Sequence, residues 1–298
     1  MGPYEALLAA VLATGEDRPD RTGTGTLSLF APQPLTFDLR GMHVPLITSK
    51  QVAWRMALKE YMWMLSGSTS TVDLGGSSTQ MANIWNNWAD ERGDIGPTYG
   101  AQYRDAGGTL LTEAPDDGGW TYSKAGVDQL GEVIHRLAET PDTRRALISL
   151  WSVPELQDMA LEPCMVLFQF SLRGPNLDQL HLHIHQRSAD MMLGVPFDLF
   201  QGGLLAHLVA RELSYYTDRF IDATNLTWSA GDVHVYNTHL PAAFEQLLQA
   251  QNAPKPAARL VLPPHQAPLR LLGGSLTAAH IDVIDYHSAP RITAGAIA

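Results

Sequence analysis

The chain has 298 residues and a formal net charge of -11, from 31 acidic and 20 basic residues. Such an acidic chain is a poor candidate for binding polymeric DNA or RNA, because affinity for a phosphate backbone comes largely from clustered Lys and Arg. Hydrophobic residues make up 45% of the chain and charged residues 17%, which excludes an intrinsically disordered protein and predicts a folded body throughout.

No internal repeat, low-complexity tract or linker divides the sequence, so we predict a single domain over residues 1–298. The first residues carry no basic segment followed by an apolar run, and the longest apolar stretches are interrupted by Asp198, Gln201 and His207. The only cysteine, Cys164, excludes an internal disulfide and any multi-cysteine metal site. We therefore expect a cytoplasmic protein without membrane association.

Two helices and a loop are predicted in the first half of the chain. From Ala53 to Leu65 the apolar residues have the spacing of a largely buried helix, which places Glu60 in apolar surroundings. The Gly- and Asp-rich segment from Asp105 to Gly119 is typical of a loop, and Val127 to Leu137 has the pattern of an amphipathic helix.

The second half predicts strands followed by a long helix. Arg145 to Trp151 is strand-like, and Val166 to Leu172 and Leu180 to His185 alternate as paired strands around a Gly-Pro-Asn turn. Leu199 to Leu213 is mostly apolar over the length of a helix, and Leu260 to Leu272 is strand-like with proline breaks. The last residues, 292–298, are small and apolar, so we expect this tail to cover another part of the molecule.

Three histidines at alternate positions, His181, His183 and His185, share one face of a predicted strand. This pattern is compatible with a metal site, and hence with a non-catalytic metal-binding scaffold. No carboxylate or thiolate with familiar ligand spacing accompanies the histidines, and a strand face in a wet interface or a subunit contact explains them equally well.

Cys164 has two interpretations from the residues alone. It is either an inert buried thiol or a nucleophile, and the second requires nearby cations that lower its pKa. Arg144, Arg145 and Arg187 are the candidate cations.

Several longer segments occur in an order that resembles the thymidylate synthase family, over nearly the whole chain. They are Asp20-Arg-Thr-Gly-Thr-Gly-Thr26, Pro45-Leu-Ile-Thr-Ser-Lys50, Asn83-Ile-Trp-Asn-Asn-Trp-Ala-Asp90, Gly93-Asp-Ile-Gly-Pro-Thr-Tyr-Gly100, Arg144-Arg145, Pro163-Cys164, Gln186-Arg-Ser-Ala-Asp190, Leu193-Gly-Val-Pro-Phe197 and Gly231-Asp-Val-His-Val-Tyr236. The resemblance implies an α/β fold with a large, kinked mixed β-sheet flanked by helices.

The resemblance also implies a homodimer that forms through the sheet, in which each subunit contributes arginines to the other's site. Arg144 and Arg145 match the pair that binds the nucleotide phosphate of the partner subunit, while Arg21, Arg187 and Ser188 match the phosphate ligands of the same chain. Guanidinium groups gathered around one phosphate explain how an acidic protein binds an anion.

The chemistry implied by the resemblance is one-carbon transfer from 5,10-methylenetetrahydrofolate to C5 of a pyrimidine nucleotide, without a metal. Cys164 matches the nucleophile that adds to C6, Arg187 the cation that holds the thiol ionised, Glu60 the carboxylate that acts through ordered water, and Tyr99 the residue near the departing C5 proton. His234 and Tyr236 match the ligands of the sugar 3′-hydroxyl. The residues that match the folate site are Trp85, Trp88, Asp190, Leu193, Gly194 and Phe197, with the C-terminal tail closing the site against water.

Asp198 departs from the uracil enzymes of the family, which have Asn after the Leu-Gly-x-Pro-Phe motif. An amide donates to O4 and accepts from N3–H of uracil, whereas a carboxyl group accepts from the N4 amino group of cytosine and shares a proton with N3. The same Asp occurs in the family's deoxycytidylate hydroxymethylases, so the resemblance favours dCMP as the substrate. Because a mismatched base leaves buried polar groups unpaired, such sites discriminate by roughly 10⁴-fold.

The product is 5-hydroxymethyl-dCMP if water adds to the transferred carbon, and 5-methyl-dCMP with dihydrofolate if the folate donates hydride. Asp198 favours the first product, while Trp85 and the apolar C-terminus, which exclude water in the methylating enzymes, keep the second open. Met165 stands where the uracil enzymes have His, and this removes a polar group near the base. A thymidylate synthase acting on dUMP and a hydroxymethylase acting on CMP are the alternatives. Modification of free cytosine nucleotides suggests either a bacteriophage that replaces the cytosine of its DNA, which would place the protein in the host cytoplasm, or a pathway to a modified nucleoside.

Overall fold

The computed structural model describes residues 1–75, 84–110 and 123–294. In chain order its main helices are α1 (Pro3–Thr14), α2 (Trp54–Leu65), α3 (Tyr99–Arg104), α4 (Gln129–Glu139), α5 (Gly194–Thr217) and α6 (Leu240–Ala250). Its strands are β1 (Glu16–Arg18), β2 (Thr26–Phe30), β3 (Leu35–Asp38), β4 (Thr109–Leu110), β5 (Ser123–Lys124), β6 (Leu147–Ser149), β7 (Met165–Arg173), β8 (Gln179–Asp190), β9 (Asp222–Tyr236), β10 (Arg259–Val261) and β11 (Asp282–Ile284).

A seven-stranded mixed sheet forms the centre of the fold. Its strand order is β1-β2-β9-β8-β7-β6, and β3 also pairs with β9. The long strands β8 and β9 are parallel, whereas the other neighbours in the sheet are antiparallel. Helices flank the sheet, so the α/β class with a large mixed sheet is confirmed.

Helix α5 covers the sheet and positions one wall of the site described below. It packs against β8 and β9, and its side chains from Leu199 to Ser214 are buried without a break. Gly202 permits this close approach, because a Cβ atom there would lie 2.7 Å from Cδ1 of Ile184 on β8. Within the described part of the chain, no helix combines the length and apolarity that crossing a bilayer requires.

Most of the predicted helices and strands are present at shifted boundaries. The helix predicted from Ala53 is α2, and the amphipathic helix predicted from Val127 is α4. The two paired strands are β7 and β8, joined at the predicted turn, and β8 extends five residues beyond His185 to Asp190. The long apolar helix begins at Gly194 rather than Leu199, because Pro196 is tolerated in the first turn of a helix.

The prediction of a strand from Leu260 to Leu272 is largely wrong. Only Arg259–Val261 is a strand, and the residues after it are turns and irregular backbone. Their carbonyl groups are satisfied from outside the segment: the Arg211 guanidinium on α5 donates to the carbonyl oxygens of Pro263, Pro264 and Leu269 at 2.8–2.9 Å. The buried Arg211 side chain therefore satisfies carbonyl groups that a neighbouring strand would satisfy in a sheet.

The predicted loop from Asp105 to Gly119 is only partly described. Thr109–Leu110 at its middle pairs with Ser123–Lys124, so a short antiparallel ladder occupies part of the segment. The remainder of the predicted loop, residues 111–119, lies outside the described residues.

The alternation predicted for His181, His183 and His185 is observed. These side chains alternate with buried Leu182 and Ile184, and they lie on the sheet face opposite the buried core. The His183 ring is hydrogen-bonded to the Ser229 hydroxyl on β9 at 2.9 Å. Within the described ranges, no group of three His, Cys, Asp or Glu side chains has an arrangement that suits a metal ion.

Candidate active site

A cavity of about 740 Å³ lies between α2, the first turns of α5 and the segment that ends at Ile292. This volume is typical of sites for small organic ligands. Several residues that the sequence assigns to catalysis or folate binding line it: Glu60, Trp85, Tyr99, Leu193, Gly194, Phe197 and Asp198. Met165, the residue after Cys164, also lines the cavity.

Cys164 lies immediately before β7, and its backbone is tied to two neighbouring elements. Its N–H donates to the hydroxyl oxygen of Tyr99 at 2.8 Å, and its carbonyl oxygen accepts from the backbone N–H of Arg187 at 2.8 Å. Burial raises the pKa of the Cys164 thiol, and the nearby Asp198 adds to that effect, while Arg187 and a hydrogen bond from Tyr99 lower it. Arg187 acts in the predicted direction, but burial outweighs it, so the chain by itself carries a neutral thiol.

Arg187 is held against the loop that carries Cys164. Its Nε donates to the carbonyl oxygen of Pro163 at 3.0 Å and its Nη2 to that of Glu162 at 2.8 Å. The guanidinium carbon also lies 5.3 Å from the ring centre of Trp151. Nη2 of Arg187 also lies 3.9 Å from the carboxylate oxygen Oε2 of Glu162, a partly exposed ion pair. The carbonyl groups, the aromatic ring and this carboxylate together fix the position of the cation.

Asp198, in the first turns of α5, contributes a carboxyl group to the cavity wall. Its Oδ2 accepts from Nε2 of Gln186 on β8 at 2.8 Å. Burial raises the pKa of Asp198 to about 7, and the negative charges of Glu60 and Asp190 add to the effect of burial, against the hydrogen bond from Gln186. A neutral carboxyl group is therefore populated near physiological pH, as it would not be on a protein surface.

Glu60, on the buried face of α2, is held by two side-chain donors. Its Oε1 accepts from the indole Nε1 of Trp85 and its Oε2 from Nε2 of Gln201, both at 2.8 Å. Burial raises the pKa of Glu60, and these two hydrogen bonds oppose that effect. The carboxyl group is thus fixed in position and its pKa is shifted upward, which suits a group that exchanges protons with a ligand.

His234 and Tyr236 lie two residues apart at the C-terminal end of strand β9, and their ring centres are 5.2 Å apart. Nδ1 of His234 lies 2.7 Å from Oδ1 of Asp232, whose Oδ2 accepts from the Ser28 hydroxyl at 2.7 Å. Because Asp232 accepts at Nδ1, the second ring nitrogen of His234 is left for another partner. The predicted sugar ligands therefore include one imidazole of defined orientation.

The end of β8 adds polar groups beside the cavity. Asp190 accepts from the backbone N–H of Met192 at 2.8 Å, and the buried Lys50 amine donates to the carbonyl oxygen of Met192. Burial lowers the pKa of Lys50 to about 8, and the carboxylate of Asp190 opposes that effect. Lys50 lines the cavity, and the charge of the Asp190 carboxylate acts on its amine.

Arg21 and Trp88, predicted for phosphate and folate binding respectively, contact each other. The guanidinium carbon of Arg21 lies 5.3 Å from the indole centre of Trp88. Arg21 follows Asp20, which orders its loop by accepting from the backbone N–H groups of Thr22 at 2.8 Å and Gly25 at 2.6 Å.

The other predicted phosphate ligands lie in two separate parts of the molecule, one beside Arg187 and one on the histidine face of the sheet. Ser188 lies on β8 next to Arg187, and its carbonyl oxygen accepts from the Gln186 amide. Arg144 lines a separate cavity of about 200 Å³ on the histidine face of the sheet, and this cavity shares no lining residue with the large one. A single chain therefore does not bring Arg144 to the cavity beside Cys164, and Arg145 follows it in sequence.

The cavity also has lining residues to which the sequence reasoning gave no role, among them Lys50, Gln201, Tyr286 and Arg291. Gln201 carried a signal, because Asp198 and Gln201 are polar residues three positions apart in an otherwise apolar helix and so share one face. Tyr286 carried none, since its hydroxyl acts on backbone groups: it donates to the carbonyl oxygen of Ile47 at 3.0 Å and accepts from the N–H of Val52 at 2.9 Å.

The expectation that the C-terminal tail covers another part of the molecule falls only partly on described residues. Arg291 and Ile292 line the cavity, whereas residues 295–298 lie outside the described chain.

The thymidylate synthase family model matches residues 2–298, which is nearly the whole chain. Members of this family transfer a one-carbon unit from methylenetetrahydrofolate to C5 of a pyrimidine nucleotide. The match agrees with the mixed sheet and with the single cysteine beside a cavity that holds two buried carboxyl groups. The chain belongs to the thymidylate synthase family.

Proposed function

We propose that this protein transfers a one-carbon unit from 5,10-methylenetetrahydrofolate to C5 of dCMP and releases 5-hydroxymethyl-dCMP. The observation that carries the choice of base is the carboxyl group of Asp198 in the cavity wall, held at Oδ2 by Gln186. Cytosine presents a donor at N4 and an acceptor at N3, and a neutral carboxyl group offers the complementary acceptor and donor.

Ionisation of Asp198 supports this choice. Its pKa of about 7 allows the carboxyl group to hold a proton that N3 of the base can share. Proton donation to N3 withdraws electrons from the ring, and this favours attack at C6 by the Cys164 sulfur. A carboxylate with an ordinary pKa would instead direct a lone pair at N3.

The residues around Cys164 support a covalent mechanism. Cys164 adds to C6, which makes C5 nucleophilic, and Tyr99 and Glu60 lie on the same cavity to move the C5 proton. Because burial keeps the thiol neutral in the free chain, its ionisation depends on Arg187 and on a base that takes its proton. The folate supplies the one-carbon unit, and it also supplies hydride when the product is a methyl group.

One observation favours the methyl product as a second candidate. The Trp85 indole is buried, bonds to Glu60 and contacts the Tyr99 ring with a centre-to-centre distance of 5.8 Å. An apolar ring in this place restricts water, and hydroxymethylation requires water at the transferred carbon. Asp198, which the chain shares with the family's deoxycytidylate hydroxymethylases, carries the preference for the hydroxymethyl product.

We also propose that the active species is a homodimer formed through the histidine face of the sheet. Arg144 lies on that face, outside the large cavity, so it supports a role as a phosphate ligand for the partner subunit. Together with Arg145 it would join Arg21 and Arg187 around the phosphate of the nucleotide. The polar groups of β8 and β9 on this face, such as His183 and Ser229, suit a wet subunit interface.

The test is turnover of dCMP, dUMP and CMP in separate assays with methylenetetrahydrofolate carrying a labelled methylene carbon. We expect label in dCMP alone, and mass spectrometry of the product distinguishes a hydroxymethyl from a methyl group. Absorbance of dihydrofolate accompanies only the methyl product. Turnover of dUMP in place of dCMP would overturn the proposal.

The variant Asp198→Asn tests the same proposal at the residue that carries it. We expect the ratio of kcat/KM for dCMP over that for dUMP to fall by at least about 100-fold, because an amide reverses the donor and acceptor presented to the base. Cys164→Ala, which keeps Asp198, is the matched control: turnover is lost and nucleotide binding retains its base preference. An unchanged ratio in Asp198→Asn would contradict the proposal.

A further inference from the structure

The side-chain amide of Gln186 has every hydrogen-bonding group occupied. Its Oε1 accepts from the Trp228 indole Nε1 at 2.8 Å, and its Nε2 donates to the Ser188 carbonyl oxygen at 2.9 Å and to Asp198 Oδ2 at 2.8 Å. An indole nitrogen only donates and a peptide carbonyl only accepts, so each of these contacts independently fixes the orientation of the amide. Gln186 is also buried, with 2% of its surface exposed, so water does not compensate for a flipped amide.

The fixed amide makes the two oxygen atoms of Asp198 inequivalent. Oδ2 always faces an N–H donor, whereas Oδ1 has no hydrogen-bond partner within the described chain. In a neutral carboxyl group the carbonyl oxygen is the stronger acceptor, so the donor from Gln186 favours the tautomer that has its proton on Oδ1. The opposite tautomer would place a hydroxyl oxygen against the amide and weaken that hydrogen bond.

We propose that Gln186 is a specificity-determining positioning residue, which selects cytosine over uracil by fixing the proton of Asp198 on Oδ1. The inference rests on the proposed function, in which Asp198 contacts the base. With the proton on Oδ1, that oxygen donates to N3 of cytosine and Oδ2 accepts from the N4 amino group. Uracil needs the reverse, a donor to O4 and an acceptor for N3–H, which only the disfavoured tautomer provides.

Two features of the surroundings make this selection effective. Burial, and then the negative charges of Glu60 and Asp190, favour the neutral form of Asp198, so a tautomer exists to be selected near neutral pH. Trp228 is 1% exposed and donates from the strand next to Gln186, so the orientation is built into the parallel pair β8 and β9 rather than into a loop. Specificity is thus supported by groups that never touch the nucleotide.

The test compares wild type with Gln186→Met, which has similar volume and no hydrogen-bonding amide. Calorimetry with dCMP and with dUMP, below and above pH 7, gives the dissociation constants for both bases. Below pH 7 we expect Gln186→Met to reduce the ratio of the dUMP to the dCMP dissociation constant about fivefold relative to wild type, the effect of one hydrogen bond. Above pH 7 the substitution should change this ratio less, because Asp198 is then charged and has no tautomers. A Gln186→Leu variant is measured alongside, in case the methionine side chain disturbs packing.

Gln201→Met is the matched control, because Gln201 is also a buried amide that donates to a carboxyl group on this cavity, at 2.8 Å to Glu60 Oε2. We expect it to lower turnover and leave the ratio of the two dissociation constants unchanged. A preference for dCMP that is unchanged or increased in folded Gln186→Met overturns the inference. If Asp198→Asn also leaves base preference unchanged, the proposed function fails as well, so the two failures are distinguishable.

Discussion

The carboxyl group of Asp198, which we propose contacts the base, also affects the stability of the free protein. Its pKa is about 7 in the folded chain against an ordinary value of 3.8, so the folded state binds this proton more tightly than the unfolded state. Its favourable contribution to stability is therefore fully present below about pH 4 and is lost as the pH rises through about 7. A group selected for its proton thus destabilises the free protein at alkaline pH.

From this we expect Asp198→Asn to raise the free energy of unfolding at pH 8 by about 1–4 kcal/mol, because the amide carries no charge to bury. At about pH 3, below both the unfolded pKa of 3.8 and the folded pKa of about 7, Asp198 is mostly neutral in both states and the difference should nearly vanish. Urea unfolding of the two proteins without nucleotide at both pH values measures it. A difference of the same size at both pH values would contradict the assigned ionisation.

Whether the sequence assigned a role to a site residue depended on whether its partners are distant in sequence. The sequence assigned Cys164 within a motif, Asp198 directly after one, and Glu60 by its match to a family carboxylate, whereas Gln186 stood in a motif without an assigned role. Its function depends on Trp228, which is 42 residues away in sequence and becomes a neighbour only when β8 and β9 pair. Lys50 and Tyr286 were missed for the same reason, since their partners are backbone groups of distant segments.

At the scale of elements, the glycine pair in α5 determines how closely the helix approaches its neighbours. A Cβ atom on Gly202 would lie 2.7 Å from Cδ1 of Ile184, and one on Gly203 would lie 2.6 Å from Cδ of Pro45. Alanine normally stabilises a helix by about 1 kcal/mol relative to glycine, but these contacts reverse that preference.

We expect Gly202→Ala and Gly203→Ala both to lower the free energy of unfolding, by about 1–3 kcal/mol. Gly203→Ala should cost more, because the proline ring is rigid while the end of an isoleucine side chain moves to another rotamer. Chemical denaturation orders the two variants. Stabilisation by either alanine would show that α5 is free to move away from its neighbours.

Hydrophobic periodicity predicted the helices and strands whose own sequence shows a clear pattern. It failed where a segment's conformation depends on side chains from another part of the chain. Helix α2 and the pair β7 and β8 alternate or repeat clearly, so their partners did not need to be known. The region from Leu260 to Leu272 has hydrophobic residues but is shaped by Arg211 on α5. Strand β9, with 15 residues, alternates less regularly, because polar residues on the open sheet face interrupt its pattern.

At the scale of the whole molecule, the proposed dimer predicts complementation between inactive variants. Cys164→Ala removes the nucleophile of its own site, and Arg145→Ala removes a phosphate ligand from the partner's site. A mixed dimer of the two would contain one site with both groups intact. After subunit exchange we expect about a quarter of wild-type activity, because half of the dimers are mixed and each has one complete site.

The control pairs Cys164→Ala with Glu60→Gln, two changes within the same site, for which exchange restores no complete site. Turnover of dCMP before and after exchange, with the mass of the assembly from sedimentation, checks the prediction. Recovery in the control, or a monomeric mass for the active protein, would contradict the shared site.

The cavity draws its walls from Lys50 near the start of the chain to Ile292 near its end. The Tyr286 hydroxyl links these two parts of the wall, because it donates to the carbonyl oxygen of Ile47 and accepts from the backbone N–H of Val52. A ribosome must therefore synthesise the chain as far as Ile292 before the nucleotide and the folate have a complete pocket. An interrupted translation product that stops before Tyr286 would retain Cys164 and Asp198 but lack the clamp that holds the opposite wall.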